Sequence, residues 1–189
     1  MIKIALVGTH NTGKTTLFEM MKQDKLFSGY YFVPEQIRII HSHGYGINEN
    51  ADDCTQLALA LENQYYSLLT KSPLTYEGIV LDRCILDNYI YAKYLNKKGI
   101  VTDKVLNTLK ETLDRTLPFI HYIFFLRPGF DMESDEERST NEDFQLEIDN
   151  MFREFFEENK HKYYYRELTG TSKERLELIK EIITGGYVY

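Results

Sequence analysis

The sequence predicts an α/β fold in which helices flank a five-stranded parallel sheet. Three observations carry this. Short apolar runs of β type alternate with longer helical patterns along the chain, with no internal repeat. The first run, Ile2–Val7, is apolar almost throughout, as expected of a strand buried on both faces. The intervals between runs are long enough for crossover helices, which makes βαβ units and parallel pairing the natural arrangement.

Each element follows from local chemistry. Ile2-Lys3-Ile4-Ala5-Leu6-Val7 is a strand that stops at Gly8, and Thr15 to Gln23 reads as a helix. Tyr30–Val33 is a second β-rich run, ended by Pro34, which has no N–H to extend a ladder. Over 55–70, Leu57, Leu61, Tyr65 and Leu68 share one helical face. Gly78–Leu81 is the third strand and runs into Asp82-Arg83. Leu86–Asn96 reads as a helix stopped by Lys97-Lys98-Gly99. Asp103–Leu117 reads as another, with Pro118 beyond its end. His121–Leu126 is the fourth strand, closed by Pro128-Gly129. Asn141–Asn159 is amphipathic, with Phe144, Ile148, Met151, Phe152 and Phe155 in one stripe. Tyr163–Tyr165 reads as a fifth strand built for aromatic packing. Ser172 reads as the N-cap of a last helix that Gly185-Gly186 ends.

At roughly 100–200 residues per domain, a chain of 189 residues suits one domain. Hydrophobic residues at 43% and charged residues at 27% match globular averages and exclude disordered and low-complexity classes. No apolar run approaches the roughly 20 residues of a bilayer span. Met1–Val7 leads straight into a glycine-rich turn, unlike a signal peptide. Cys54 and Cys84, with no CxxC spacing, exclude a disulfide framework and make a reducing cytoplasm the expected compartment. The net charge of −7 is concentrated: residues 131–149 hold nine acidic side chains and one basic one, Arg138. The nearly neutral remainder is not the basic footprint of a dedicated nucleic-acid binder.

Ligands on parallel sheets bind at the carboxyl ends of the strands. The first such end holds Gly8-Thr9-His10-Asn11-Thr12-Gly13-Lys14-Thr15-Thr16, a full match to G-x-x-x-x-G-K-[ST] between a strand and a helix. The glycines let the backbone curl until successive N–H groups face phosphate oxygens. The helix that follows adds its unpaired N–H groups and positive dipole end. Lys14 would bridge the terminal phosphates, and the Thr15 hydroxyl would ligate Mg²⁺. His10 occupies a variable position of the motif and receives no role, and His41 and His43 lack the further ligands a metal needs.

The phosphate loop is followed in order by Val33-Pro34-Glu35-Gln36-Ile37-Arg38, Leu81-Asp82-Arg83 and the acidic segment around Arg138. In this order and spacing the chain resembles P-loop nucleoside and nucleotide kinases over nearly its whole length. Within them it looks like the small AAA-like kinases that include ribosylnicotinamide kinase domains and phage proteins. The resemblance implies a three-layer P-loop NTPase, a single domain over 1–189 with a small acidic lid at 130–145. It implies ATP as donor, Mg²⁺ as cofactor and a nucleoside or nucleoside monophosphate as acceptor.

The resemblance also assigns roles. Glu35, just after the second strand, would act as general base for the acceptor hydroxyl or as a clamp on its sugar. Arg38 falls where thymidylate-type kinases hold an acceptor phosphate. Asp82 takes the Walker B position and would hold Mg²⁺ with Thr15. Arg83 matches the Arg of the Asp-Arg-Ser motif of deoxynucleoside kinases, with Cys84 replacing Ser, and Asp87 can pair with it one turn on. Arg138 would be the lid arginine that stabilises charge on the transferring group, although Asp135-Glu136-Glu137-Arg138 lacks the Gly of subgroup lids. Gln145 stands near the place of a second basic lid residue. Arg127 and the Thr169-Gly170-Thr171 turn suit an adenine site. Gln56 and Gln64 lie on the helix from which deoxynucleoside kinases read the acceptor base.

The leading expectation is therefore a kinase with ATP and a small-molecule acceptor as partners, no membrane, and a homodimer allowed. A kinase acting on a hydroxymethylated base or end in DNA shares these motifs but is disfavoured by the neutral body. A nucleotide-dependent switch is disfavoured because no guanine motif or sensor domain is visible.

Overall fold

Alternation along the strands sets the layering. In the computed structural model, which describes residues 1–68, 76–128 and 142–185, Ile4 and Leu6 of β1 (Ile2–Val7) face one side of the sheet. Ala5 and Val7 face the other. All four are fully buried, so β1 is covered on both faces. The first side packs on α1 (Lys14–Gln23) and α7 (Ser172–Thr184) through Leu17, Phe18, Met21, Leu176 and Ile179. The second packs on α4 (Ile85–Lys97), α5 (Asp103–Thr116) and α6 (Glu142–Glu158) through Ile85, Leu109, Phe144 and Phe152. The expected three-layer α/β sandwich is the result.

The sheet is parallel throughout, in the order β2-β3-β1-β4-β5, with β2 at Tyr30–Val33, β3 at Gly78–Asp82, β4 at Tyr122–Leu126 and β5 at Tyr165–Leu168. β1 sends its chain to α1 on one face, and its neighbour β3 sends its chain to α4 on the other. The two loops diverge and open a crevice at the carboxyl edge, the place where open parallel sheets bind ligands.

Four local readings differ from the expectations. The last strand is Tyr165–Leu168, not Tyr163–Tyr165, because pairing with β4 runs from Tyr165 opposite Ile123 to Leu168 opposite Leu126. The N-cap of α7 is Thr171, not Ser172: its hydroxyl accepts from Glu174 N while the Glu174 carboxylate accepts from Thr171 N (2.8 Å). A short helix α2 (Ile37–Ser42) follows β2, which the sequence did not announce. In α3 (Asp53–Leu68), Leu57, Leu61, Tyr65 and Leu68 face outward, Leu61 being 70% exposed. The inward face carries Gln56, Ala60 and Ser67 instead. Its polarity has a reason: Gln56, Leu59 and Asn63 wall a cavity.

The acidic lid reading at 130–145 and its Arg138 lie outside the described residues up to position 141. Among the described residues no helix is long and apolar enough to cross a membrane.

Candidate active site

Strand register assembles the site. Val7 pairs with Phe125, which brings Gly8 against Leu126. A Cβ on Gly8 would lie 2.3 Å from the Leu126 carbonyl oxygen, and Gly8 holds φ at 136°, so only glycine serves here. Asn11 (φ 56°) and Gly13 (φ 79°) complete the left-handed curl that hands the chain to α1. Leu6 pairs with Asp82, and Val33 with Leu81. Asp82 therefore stands beside the phosphate loop, and Glu35 stands beside Arg83.

Lys14 is buried within the loop it serves. Its ammonium donates to the Thr9 carbonyl and to Thr12 Oγ1 (3.0 Å). Burial and the Arg83 charge push its pKa down to about 7, against the opposing pull of Asp87, Asp82 and Glu35. Thr15 Oγ1 donates to Asp82 Oδ2 (3.0 Å), while Asp82 Oδ1 is buried with no partner. Burial and the Glu35 charge push Asp82 up to about 6. A hydroxyl beside a carboxylate with an orphaned oxygen is a fitting donor pair for a hard cation that keeps waters and substrate oxygens as its other ligands. Among the described residues no group of three His, Cys, Asp or Glu side chains could hold a metal alone.

Arg83 organises the crevice. It holds φ at 74°, a left-handed conformation that costs a side-chain-bearing residue about 1–2 kcal/mol. Its guanidinium donates through Nε to Glu35, and through Nη1 to the Gly8 carbonyl (3.0 Å) and Asp87 Oδ1 (3.2 Å), and lies over the Tyr91 ring. The expected Arg83–Asp87 pair thus forms. Asp87 also accepts from Gly8 N and Cys84 N (3.1 Å each), tying the loop, Arg83 and the start of α4 together. Burial favours the neutral form of Glu35, but Arg83 and Lys14 outweigh it and hold the carboxyl below its usual range. Burial pushes the Cys84 thiol far up, so it is inert.

Two cavities meet here. One is lined by His10 to Thr16 together with Arg38, His41 and Ser42. The other is lined by Gln56, Leu59, Asn63, Asp87, Asn88 and Tyr91. Glu35, Ile37, Asn48 and Arg83 line both. Asn88 Nδ2 donates to the Gln56 carbonyl (3.3 Å) and to Gln56 Oε1 (2.5 Å), which seats Gln56 in the second cavity. Gln64 lines neither cavity.

Register also sets Arg127 beside Thr169, one residue beyond the Leu126–Leu168 pair. Arg127 is bound to Asp149 Oδ2 (3.3 Å) and Glu167 Oε1 (3.4 Å), and Thr169 is exposed. Arg38 is exposed and 4.0 Å from Glu35.

The sequence assigns His10 no role and sets Gln145 near the place of a second basic lid residue, whereas the structure joins the two. His10 N donates to Tyr91 Oη (3.1 Å), its carbonyl accepts from Gln145 Nε2 (2.7 Å), and its ring stacks on Phe144. This variable loop position therefore pins the loop to α4 and α6. Gln145 is a buried polar residue inside an apolar stripe, and that interruption was the available signal.

A family described as an AAA domain matches residues 3–175. The chain belongs to this AAA-domain family. The AAA-domain protein shares its fold with a deoxyadenosine kinase from M. mycoides bound to the product dCMP and a flexible dCDP: TM-score 0.74, 18% identity, 97% of this chain and 100% of that one. NadR in complex with NR superposes with TM-score 0.74 at 16% identity, covering 100% of this chain and 52% of NadR. Thymidylate kinase from Candida albicans gives TM-score 0.69 at 18% identity, covering 97% and 91%. The fold is thus that of P-loop nucleoside and nucleotide kinases. No curated protein matches the sequence.

Proposed function

We propose that this AAA-domain protein transfers the γ-phosphoryl group of Mg-ATP to a nucleoside or nucleoside monophosphate. The observation that carries the reading is the pair of cavities that join at Glu35 and Arg83. One is built for a polyphosphate and the other is walled by amide and apolar side chains, so donor and acceptor meet at a carboxylate and a guanidinium. Similarity in fold to a deoxyadenosine kinase, NadR and a thymidylate kinase supports it.

The roles follow from placement. The Gly8–Gly13 backbone, with Thr9, Asn11 and Thr12, cradles the phosphates. Lys14 trades the Thr9 carbonyl for phosphate oxygens, and Thr16 extends the helix N-terminus beneath them. Thr15 and Asp82 would hold Mg²⁺, which neutralises charge on the transferring group. Glu35, ionised at neutral pH, orients the acceptor hydroxyl and takes its proton. Arg83 holds Glu35 and faces the phosphoryl group, with Arg138 as the lid counterpart. Arg127, its charge matched by Asp149 and Glu167, offers adenine a plane beside Thr169. Glu35, Asp82 and Asp87 put three carboxylates around the junction, which favours a neutral hydroxyl over a phosphate entering from the acceptor side. Should the acceptor be a monophosphate, Arg38 at the rim of the phosphate cavity is the side chain that would hold its phosphate.

Labelled ATP incubated with nucleosides, monophosphates, nicotinamide riboside and hydroxymethylated DNA tests the proposal. Label on a free nucleoside or monophosphate is the expected result. Label on DNA alone, or release of inorganic phosphate alone whatever the acceptor, overturns it.

Nucleotide binding should also take up protons. At pH 8 a Lys14 ammonium of pKa about 7 is mostly deprotonated, and a polyphosphate raises its pKa. Calorimetry in buffers of different ionisation enthalpy should therefore show net proton uptake with each triphosphate at pH 8, shrinking as the pH is lowered through 7. In the free protein the sign is fixed by the same shift: the unfolded chain binds the extra proton between the folded and unfolded pKa values, so this group lets stability rise with pH above 7.

A further inference from the structure

We propose that Arg175 is a positioning residue for the phosphate loop, a buried cation held in reserve for the bound polyphosphate. The inference rests on the donor reading above. Arg175 lies in the first turns of α7, among the buried Leu176, Ile179 and Ile182, and is itself 7% exposed. It has no carboxylate partner among the described residues. Among the described residues its guanidinium makes one hydrogen bond, from Nη1 to the Thr12 carbonyl (2.7 Å), across 163 positions of sequence. Its Nε is buried and unpartnered. A largely buried guanidinium with an unpartnered Nε and no carboxylate beside it among the described residues is a cost to the free fold.

The bond it makes gives that cost a purpose. In a trans peptide the carbonyl and the following N–H point in opposite directions, and the structure has no cis peptide bond among the described residues. Holding the Thr12 carbonyl outward toward α7 therefore aims the Gly13 N–H away from α7, into the concave side of the loop. The geometry around Gly13 shows how close the arginine stands: its Nη1 would lie 3.5 Å from a Cβ at that position. Arg175 does not line the phosphate cavity, so it acts from behind the loop, through the 12–13 peptide and through its charge. A polyanion in the cradle supplies a counter-charge that none of the described residues offers. Burial lowers the Arg175 pKa with no opposing partner, in keeping with this arrangement.

The test compares Arg175→Met and Arg175→Lys with the wild type. The measurements are the melting temperature of the free protein, its rise with saturating Mg-ATP, and the dissociation constant for Mg-ATP. Methionine fills the volume without the charge. The free Arg175→Met protein should melt at or above the wild-type temperature, while Mg-ATP affinity falls roughly tenfold, the loss expected of one charge-assisted hydrogen bond. The nucleotide-induced rise should shrink accordingly, and Arg175→Lys should recover part of it. A merely structural arginine predicts the reverse: a destabilised free protein with an undiminished response to nucleotide. Wild-type affinity in both variants overturns the inference, and so does a methionine variant that fails to fold while the lysine variant folds and binds normally. If the wild type itself binds no triphosphate, the phosphate-loop reading fails first, so the two failures are distinguishable.

Discussion

Lys14→Met should leave a folded protein with turnover lowered by orders of magnitude. In the free loop the ammonium is desolvated and satisfied only by the Thr9 carbonyl and the Thr12 hydroxyl. Its pKa of about 7 reports how little that environment favours the charge. Removing it relieves burial and costs two hydrogen bonds, so the melting temperature should move little. The loss falls on the liganded states. A polyphosphate brings negative oxygens into a dry cradle, where an ammonium is worth far more than in water. Charge on the donor oxygens is stabilised in ground and transition states, and most strongly where the γ-phosphoryl group moves. The expected loss in kcat/KM is roughly 10²–10³-fold or more, with triphosphate affinity reduced as well. A methionine variant that phosphorylates its acceptor at near wild-type rate would show that the loop does not hold the donor.

The loop was legible because its function constrains residue identity at fixed spacing. Gly8 must lack a Cβ to pass Leu126, and Gly13 must adopt positive φ at the entrance to α1. The central strands β1, β3 and β4 were legible for a similar reason, since strands buried on both faces are nearly continuous apolar runs, whereas the half-buried edge strand β5 carries Arg166 and Glu167 and was misplaced. What the sequence hid depends on contacts between distant segments. Nothing local to His10 reports that Gln145 and Tyr91 hold it, or that Arg175 reaches the Thr12 carbonyl. Each of those partners is nevertheless a polar residue on a buried helix face, so the interruptions in amphipathic patterns held recoverable information. α3 misled for the opposite reason. Its apolar stripe faces outward because the inner face lines a cavity, and cavity-facing polarity inverted the usual rule.

Glu35→Gln should separate chemistry from donor binding. The amide keeps the size of the side chain and can still accept from Arg83 through its oxygen, so the crevice should stay assembled. What disappears is the negative charge at the junction of the two cavities. Two consequences have opposite signs. The acceptor hydroxyl loses the group that orients it and takes its proton, which should lower kcat by roughly 10²–10⁴-fold. Arg83 keeps Asp87 but loses one of its two carboxylate partners and is left freer to face phosphate, so Mg-ATP affinity should hold or tighten. The Lys14 ammonium also loses a carboxylate that raises its pKa. Proton uptake on donor binding should therefore extend to lower pH in the variant than in the wild type. A carboxylate that served only the fold would give a different pattern: a lower melting temperature and matched losses in donor affinity and transfer. Equal falls in both constants would remove Glu35 from the chemistry and leave transfer to Arg83 and the phosphate loop.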